Sequence, residues 1–276
     1  MKFPLSPRSL VRLFWLGLVP GALCTAQAPG APPNPAAPPA VATVPGMPPV
    51  VDPANLYGEA SAGKLSAAVA GDLPRVYVPH VKSNDVYVID PATLKVVDKF
   101  KVGINPQHVV PSWDLRTLWV ANNAEGRTDG SLTPIDPKTG KPGAPIKVDD
   151  PYNMYFAPDG ASAIVVAEAY KRLDFRDPRT MALQSSLPVP QCAGINHADF
   201  SIDGRYVIFT CEFNGKLAKI DLVERKVAGY LKLAKGKMPQ DIRVSPDGKV
   251  FYVADMKADD REVGVVDARA LRHRQR

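Results

Sequence analysis

The sequence has little of what usually identifies an enzyme or a metalloprotein. It contains three cysteines, and it has no H-E-x-x-H, C-x-x-C or G-x-S-x-G motif and no glycine-rich phosphate loop. These absences exclude the common signatures of zinc peptidases, dithiol oxidoreductases, nucleophile-elbow hydrolases and nucleotide-binding P-loop proteins. The sequence therefore predicts no catalytic residue and no metal site of a familiar kind.

The chain also lacks a concentrated basic surface. Lys and Arg outnumber Asp and Glu by 34 to 28, but three of the basic residues precede residue 13 and four arginines fall within residues 269–276. The rest of the chain carries no basic stripe and no nucleic-acid motif. We therefore expect no nucleic-acid partner.

What the sequence does have is a repeat. The segments PSWDLRTLWVAN, APDGASAIVVA, SIDGRYVIFTC and SPDGKVFYVAD place turn aspartates at positions 114, 159, 203 and 247, at intervals of 45, 44 and 44 residues. A second series of aspartates, each after an apolar run, lies at positions 90, 136, 177, 221 and 267. Such a period indicates a repeat architecture with two kinds of hairpin in each unit.

Each repeat has room for four short strands and no helix. The runs YVIF and FYVA are β-branched and aromatic, as in strands, and Asp203-Gly204 is typical of a tight hairpin turn. Because one small sheet cannot bury both of its faces, neighbouring sheets have to stack around an axis as blades. The sequence predicts an all-β fold, a β-propeller of four-stranded antiparallel blades.

Three tetrads within the repeats resemble those of a known family. YVPH (77–80), WVAN (119–122) and YVAD (252–255), each beside a tight turn and a hairpin of the I-D-P-x-T kind, resemble the YVTN-type repeats of YncE-like β-propellers. The resemblance covers about residues 73–267. It implies a secreted or periplasmic propeller, usually of seven blades, distantly related to the propeller subunits of quinoprotein dehydrogenases and to lactonase propellers. It implies no particular reaction.

The first part of the chain is predicted to be an export signal and a linker. Lys2, Arg8 and Arg12 precede an apolar stretch, residues 13–23, that is too short to span a bilayer, so residues 1–26 are interpreted as a signal peptide. A lipoprotein signal with Cys24 is the alternative, although Leu23 stands where a small residue is preferred. We expect a periplasmic or secreted protein with no membrane span after cleavage.

Residues 27–54 are predicted to be an extended Pro/Ala-rich linker, with ten prolines between residues 28 and 53. Residues 55–71 form either a short helix or an N-terminal strand. The blades are assigned to residues 72–268, and residues 269–276 are predicted to be a disordered basic tail.

The repeats are too few for a seven-bladed ring. Counting gives three strands in the first unit, four in each of the next three and three in the last, or about 4.5 to 5 blades, whereas seven blades need about 310 residues. Three explanations are open: a five-bladed closure, an open arc completed by another chain, or a truncated family member. We favour truncation, because the last predicted strand lacks a partner and an uncovered sheet edge invites aggregation.

Two cysteines, Cys192 and Cys211, remain after signal cleavage. Pairing the strands that flank Asp203-Gly204 brings them close together, and export favours a disulfide. Two separate apolar thiols are the alternative.

Candidate binding residues occupy one repeated position. Six residues before each turn aspartate, at the start of the innermost strand, the chain has His108, Asn153, His197 and Asp241, with Asn105, Gln107, Asn196 and Gln240 nearby. In a propeller this position faces the mouth of the central channel, where such a ring can bind a small polar ligand or a cation. Polar residues at a mouth can equally serve only to meet water and loop carbonyls. His108 and His197 belong to units two apart, so their proximity does not follow from the repeat.

Glu168 and Glu212 end the second strands of consecutive units, and two carboxylates can form an acid–base pair. They lie one residue beyond the position held by Asn122 and Asp255. We therefore expect them to point away from the channel unless a bulge intervenes.

Taken together, these features predict an exported, non-catalytic β-propeller that needs no cofactor and binds a small ligand or a partner protein at its channel mouth. The alternative is an enzyme or accessory subunit related to quinoprotein dehydrogenase or lactonase propellers. Only that alternative calls for pyrroloquinoline quinone or a divalent metal ion.

Overall fold

The computed structural model describes residues 39–234, 237–257 and 263–273. Contacts divide the chain into residues 1–37 and residues 38–276. The predicted signal peptide, the first part of the predicted linker and the end of the predicted basic tail lie outside the described residues.

The described residues form five antiparallel sheets. In chain order their strands are β1 (Val76–His80), β2 (Asp85–Asp90), β3 (Lys95–Lys101), β4 (Pro106–Pro111), β5 (Leu118–Asn122), β6 (Ser131–Ile135), β7 (Ile146–Lys147), β8 (Pro151–Phe156), β9 (Ala163–Ala167), β10 (Arg172–Arg176), β11 (Leu183–Pro188), β12 (Ile195–Phe200), β13 (Tyr206–Cys211), β14 (Lys216–Asp221), β15 (Lys226–Lys232), β16 (Pro239–Val244), β17 (Val250–Asp255), β18 (Val263–Asp267) and β19 (Arg272–His273). The first sheet is β1-β2-β3, and the other four each join four consecutive strands in order. The all-β prediction is therefore confirmed.

Adjacent sheets pack face to face. Buried clusters join the first sheet to the second, the second to the third, the third to the fourth and the fourth to the fifth. The largest of them contains Phe175 from the third sheet and Phe209 from the fourth, both buried. In the described part of the chain, no such cluster joins the first sheet to the fifth.

Short 3₁₀ helices supply the remaining regular structure: Gly58–Ala60, Ala67–Val69, Ala124–Gly126 and Glu212–Asn214. The first two lie in the segment for which the sequence left a helix or a strand open. None of the helices among the described residues has the length and apolar character needed to cross a membrane.

The last sheet has one strand more than the sequence predicts. The sequence reading ends the last unit at three strands, yet β19 pairs with β18 inside the predicted basic tail. The reason is a turn that recurs in every unit. In it, an aspartate carboxylate accepts the N–H groups two and three residues later, as Asp267 does from Arg269 and Ala270. The fourth residue then takes a positive φ, 47° at Leu271, and the chain reverses.

The second kind of turn joins neighbouring sheets. Gly160, Gly204 and Gly248, each after a turn aspartate, have φ between 68° and 73°. Each of these glycines lies against a residue of the preceding unit, the one just before that unit's turn aspartate. Trp113 lies against Gly160, Pro158 against Gly204 and Ile202 against Gly248. The turns thus form a continuous row at one end of the inner strands β4, β8, β12 and β16, which we term the turn end. The opposite end, where these strands begin, is the mouth end.

Residues 39–57, which we term the strap, cross the turn end. The N–H of Val44 donates to the carbonyl of Asp203 (3.0 Å), and the N–H of Leu56 donates to that of Pro246 (2.8 Å). The Tyr57 hydroxyl donates to the carbonyl of Val244 (2.8 Å). The sequence analysis predicts most of this segment to be an extended linker without a core of its own. In the structure the segment packs on the turn end, and the side chain of Val44 is buried.

Cys192 and Cys211 form a disulfide with their Cα atoms 4.8 Å apart, and both side chains are buried. The predicted bridge is therefore confirmed over the alternative of separate thiols. Cys211 pairs with Ile195 at the mouth end of the β12–β13 hairpin, so the bridge fixes the loop that leads into β12.

Candidate functional site

The same irregularity recurs at the mouth end of four sheets. The register between the inner strand and its neighbour shifts between Pro106 and His108, Pro151 and Asn153, Ile195 and Ala198, and Pro239 and Asp241. Each shift inserts an extra residue into the inner strand, which is a β-bulge. Bulges re-aim side chains and are over-represented beside functional sites. These bulges lie in the inner strands, whereas β9 and β13, which Glu168 and Glu212 directly follow, keep a regular register with β10 and β14.

The bulges bring three rings from three different sheets together. The ring centroids of His108 and His197 are 5.4 Å apart, those of His108 and Tyr152 are 5.3 Å apart, and those of Tyr152 and His197 are 6.1 Å apart. All three pairs meet edge to face, the arrangement that aromatic quadrupoles prefer. We call these three residues the ring cluster.

The ring cluster has a defined protonation pattern. Nδ1 of His108 lies 2.8 Å from the backbone carbonyl of Tyr152. Because a carbonyl can only accept, Nδ1 carries the proton, which leaves Nε2 with a free lone pair. Burial lowers the pKa of both imidazoles, and the nearby His108 lowers that of His197 further, so both are neutral at neutral pH.

The other two predicted mouth residues are less available. The Asn153 amide donates to the Tyr155 hydroxyl (3.0 Å) and its oxygen accepts the N–H of Met154 (2.8 Å), so this buried side chain holds the strand together. Asp241 accepts the N–H of Ile242 (2.8 Å) and pairs with Arg243 (3.2 Å). Its side chain keeps 46% of its surface exposed, and its charge acts on both histidines of the ring cluster.

A hydrogen-bonded network holds the bulge of β12. The Asn196 amide donates to the Glu212 carboxylate (2.6 Å), and its oxygen accepts from the Thr210 hydroxyl (2.5 Å) and from the N–H of His197 (2.7 Å). Glu212 directly follows the disulfide-bonded Cys211. The network therefore links the bridge to the backbone of one ring-cluster residue.

Two carboxylates lie beside the ring cluster. Burial, followed by the charges of Asp150, Glu212 and Glu125, raises the pKa of Glu168 to about 7. Burial also raises the pKa of Glu212. The charges of both glutamates contribute to the raised pKa of Tyr152, after its burial. The charges of Glu168 and Glu212 thus act on Tyr152 at the mouth, although β9 and β13 pair with β10 and β14 without a bulge.

Sequence reasoning missed Tyr152, which lies at the centre of the ring cluster. It occupies the position seven residues before the turn aspartate, where the other units have Gln107, Asn196 and Gln240. This shared distance from the turn aspartate is the sequence signal that could have identified Tyr152 as a mouth residue. His80 lies elsewhere, against Tyr87 and Asp85 of the first sheet. Within the described ranges, no three His, Cys, Asp or Glu side chains converge to hold a metal ion.

Solved structures similar to this chain are propeller proteins. One is the Kuenenia stuttgartiensis hydrazine synthase, with 19% identity over 76% of this chain and 66% of that chain and a TM-score of 0.59. Another is the Pseudomonas aeruginosa periplasmic gluconolactonase, with 17% identity over 73% of this chain and 70% of that chain and a TM-score of 0.55. The fold is a β-propeller. At these identities the likeness concerns the fold alone, and the chain spans about two thirds of the hydrazine synthase chain.

No protein-family model matches the sequence, and no curated protein matches it either. Membership of the YVTN-type, YncE-like family therefore stays a prediction from the tetrads.

Proposed function

We propose that this chain is an exported β-propeller that binds a small polar ligand at the mouth end through the ring cluster. The observation that carries the proposal is the convergence of His108, Tyr152 and His197 from three sheets, each beside a bulge. Rings with polar edges beside carboxylates are the usual lining of a site that orients a small polar molecule. A partner protein on the same loops, and another chain that completes the arc, stay predictions of the sequence.

Export is supported by the disulfide. Buried bridges persist in oxidising compartments and are rare in the cytosol. One of the similar structures is a periplasmic protein, which agrees with this location.

The binding proposal is tested with a library of small polar metabolites and ligand-observed NMR. Removal of the central ring in Tyr152→Ala should weaken every genuine mouth ligand at least tenfold, because stacking area and one wall of the site are lost. Tyr252→Ala is the matched control, since Tyr252 is an exposed tyrosine on β17. Ligands that bind Tyr152→Ala as tightly as the unaltered protein, or a library without any ligand, would contradict the proposal.

A second candidate function is acid–base catalysis, and a specific observation favours it. The pKa of Glu168, about 7, is the value that general acid–base catalysis at neutral pH requires. The gluconolactonase among the similar structures suggests lactones as first substrates. Pyrroloquinoline quinone or a divalent metal ion in a catalytic role belongs only to this candidate.

Lactone hydrolysis by the purified protein, with a break near pH 7 that disappears in Glu168→Gln, would establish catalysis. Hydrolysis no faster than in buffer, or equally fast in Glu168→Gln, would leave binding as the function.

A further inference from the structure

We propose that His108 and His197 form a binding site for a zinc ion at the mouth end. The site goes beyond the proposed ligand binding, which would survive its failure. Its protein ligands are two imidazoles, one from the second sheet and one from the fourth, and its other coordination positions are open.

The separation of the two rings fits a tetrahedral ion. A zinc–nitrogen bond of about 2.1 Å places the metal about 3.2 Å from each ring centroid, because a ring nitrogen lies about 1.1 Å from that centroid. Two imidazoles at a tetrahedral angle then have centroids about 5.2 Å apart. The observed distance between the centroids of His108 and His197 is 5.4 Å. This separation is compatible with both rings binding one tetrahedral zinc ion.

The hydrogen bonds of the two rings leave nitrogens free to coordinate. Nδ1 of His108 is bound to the carbonyl of Tyr152, which is the orienting contact that metal-ligating histidines usually make through their second nitrogen. Its Nε2 is thereby left as the metal-binding atom. For His197, neither ring nitrogen makes a hydrogen bond to the described residues, although most of the ring is covered by its neighbours. Its ring nitrogens are not among the buried polar atoms without a partner, so they are open to solvent and to an ion.

The charges beside the two histidines are mixed. The carboxylate of Asp241 acts on both imidazoles, and the guanidinium of Arg243, which pairs with Asp241, acts on His197. Since no third His, Cys, Asp or Glu joins the pair among the described residues, water or a small anionic ligand would complete the coordination shell. Catalytic zinc sites usually have three protein ligands and one open position, so a site with two histidines would be more open than these.

The test is a zinc titration of the chelator-treated protein by isothermal calorimetry, followed by Co²⁺ substitution. We expect one equivalent of Zn²⁺ per chain, and visible absorption bands of tetrahedral Co²⁺ that Zn²⁺ displaces. His108→Phe and His197→Phe keep a ring in place but remove the coordinating nitrogens, so each should weaken Zn²⁺ binding at least tenfold. His80→Phe, at the histidine of the first sheet, is the matched control and should bind as the unaltered protein does.

The absence of stoichiometric binding, affinity unchanged in both mouth variants, or equal loss in His80→Phe would overturn the proposal. His108→Gln and His197→Gln replace any phenylalanine variant whose melting curve shows that it does not fold. Ligands from the metabolite library separate the two proposals. If they still bind the protein that fails to bind Zn²⁺, only the metal site is refuted.

Discussion

At the scale of single residues, the unusual feature of the mouth is a carboxylic acid that holds its proton up to about pH 7. Glu168 directly follows β9, and the charged groups that act on it are all acidic: Asp150, Glu212 and Glu125. Asp150 cannot relieve the repulsion, because its own carboxylate is buried and accepts the N–H groups of Gly126 and Ala169. Ionisation of Glu168 thus adds a charge to a region that already repels it.

This arrangement makes the stability of the protein depend on pH through Glu168. The folded pKa of about 7 lies above the ordinary value of 4.5, so the folded state binds the proton more tightly than the unfolded state. The free energy of unfolding should therefore fall as the pH rises from 4.5 to 7 and stay low above that. Glu168→Gln removes the ionisation and should raise the free energy of unfolding by about 1 to 2 kcal/mol above pH 7, but by little near pH 4.5. The figure allows for solvent screening of a partly exposed carboxylate.

Urea denaturation at the two pH values measures both differences. Glu59→Gln serves as the control, because Glu59 is an exposed glutamate with an exposed lysine partner. If Glu168→Gln were stabilising to the same extent at both pH values, the proton would not be the cause.

The repeat predicts some residues of the mouth but not others. His108 and His197 follow from counting back from the turn aspartates, because the unit length fixes the start of each inner strand. Their contact across two sheets, and the place of Tyr152 between them, depend on bulges. A bulge shifts the alternation of inward and outward side chains by one residue. Because each of these bulges lies within the first three residues of its strand, too few residues precede it for that shift to be seen in the sequence.

At the scale of elements, the turn end shows how one blade determines the position of the next. Gly248 has a φ of 68°, and a Cβ at this position would lie 2.7 Å from Cβ of Ile202 in the preceding sheet. Glycine is therefore required there for two reasons: its backbone conformation and the close approach of a neighbouring side chain. The Asp-Gly pair in the sequence predicts the positive φ of the turn. Nothing in the sequence indicates the close approach of Ile202.

A pair of alanine variants separates these two reasons. Gly63 has a φ of 80°, and a methyl group added there would meet no described atom within 4 Å beyond its chain neighbours, so Gly63→Ala should cost about 1 kcal/mol for the backbone alone. Gly248→Ala should cost about 3 kcal/mol, because the methyl group also has to push Ile202 away. Thermal denaturation compares the two variants. Equal losses would show that the packing of the turns adds nothing to the backbone effect.

At the scale of the whole molecule, the strap ties the row of turns together. It contacts the turns of the fourth, third and fifth sheets, in that order along the chain: Val44 binds Asp203, Gly46 lies against Asp159, and Leu56 binds Pro246. The proline-rich composition correctly indicates a segment without helix, since proline removes backbone donors. It does not indicate where the segment lies, because binding to a surface leaves no periodic pattern in a sequence.

Two valines of the strap test whether these contacts stabilise the fold. Val44 exposes 8% of its surface and Val51 exposes 76%. An aspartate at position 44 has to be desolvated against the turn end or else detach the strap, so Val44→Asp should lower the free energy of unfolding by about 2 to 4 kcal/mol. Val51→Asp places the same charge in solvent and should change it by less than about 0.5 kcal/mol.

Guanidinium denaturation followed by tryptophan fluorescence measures both variants, since Trp113 lies beside the strap and Trp119 in the core of the second sheet. If the strap holds the third, fourth and fifth sheets together, Val44→Asp should lower the stability reported by both tryptophans. Detachment of the strap alone would change the signal of Trp113 at low denaturant and leave the unfolding midpoint where it is. Identical curves for Val44→Asp and Val51→Asp would mean that the strap does not bind the turn end in solution.

Because the mouth lies at the opposite end of the inner strands, neither variant should alter Zn²⁺ binding while the blades stay folded.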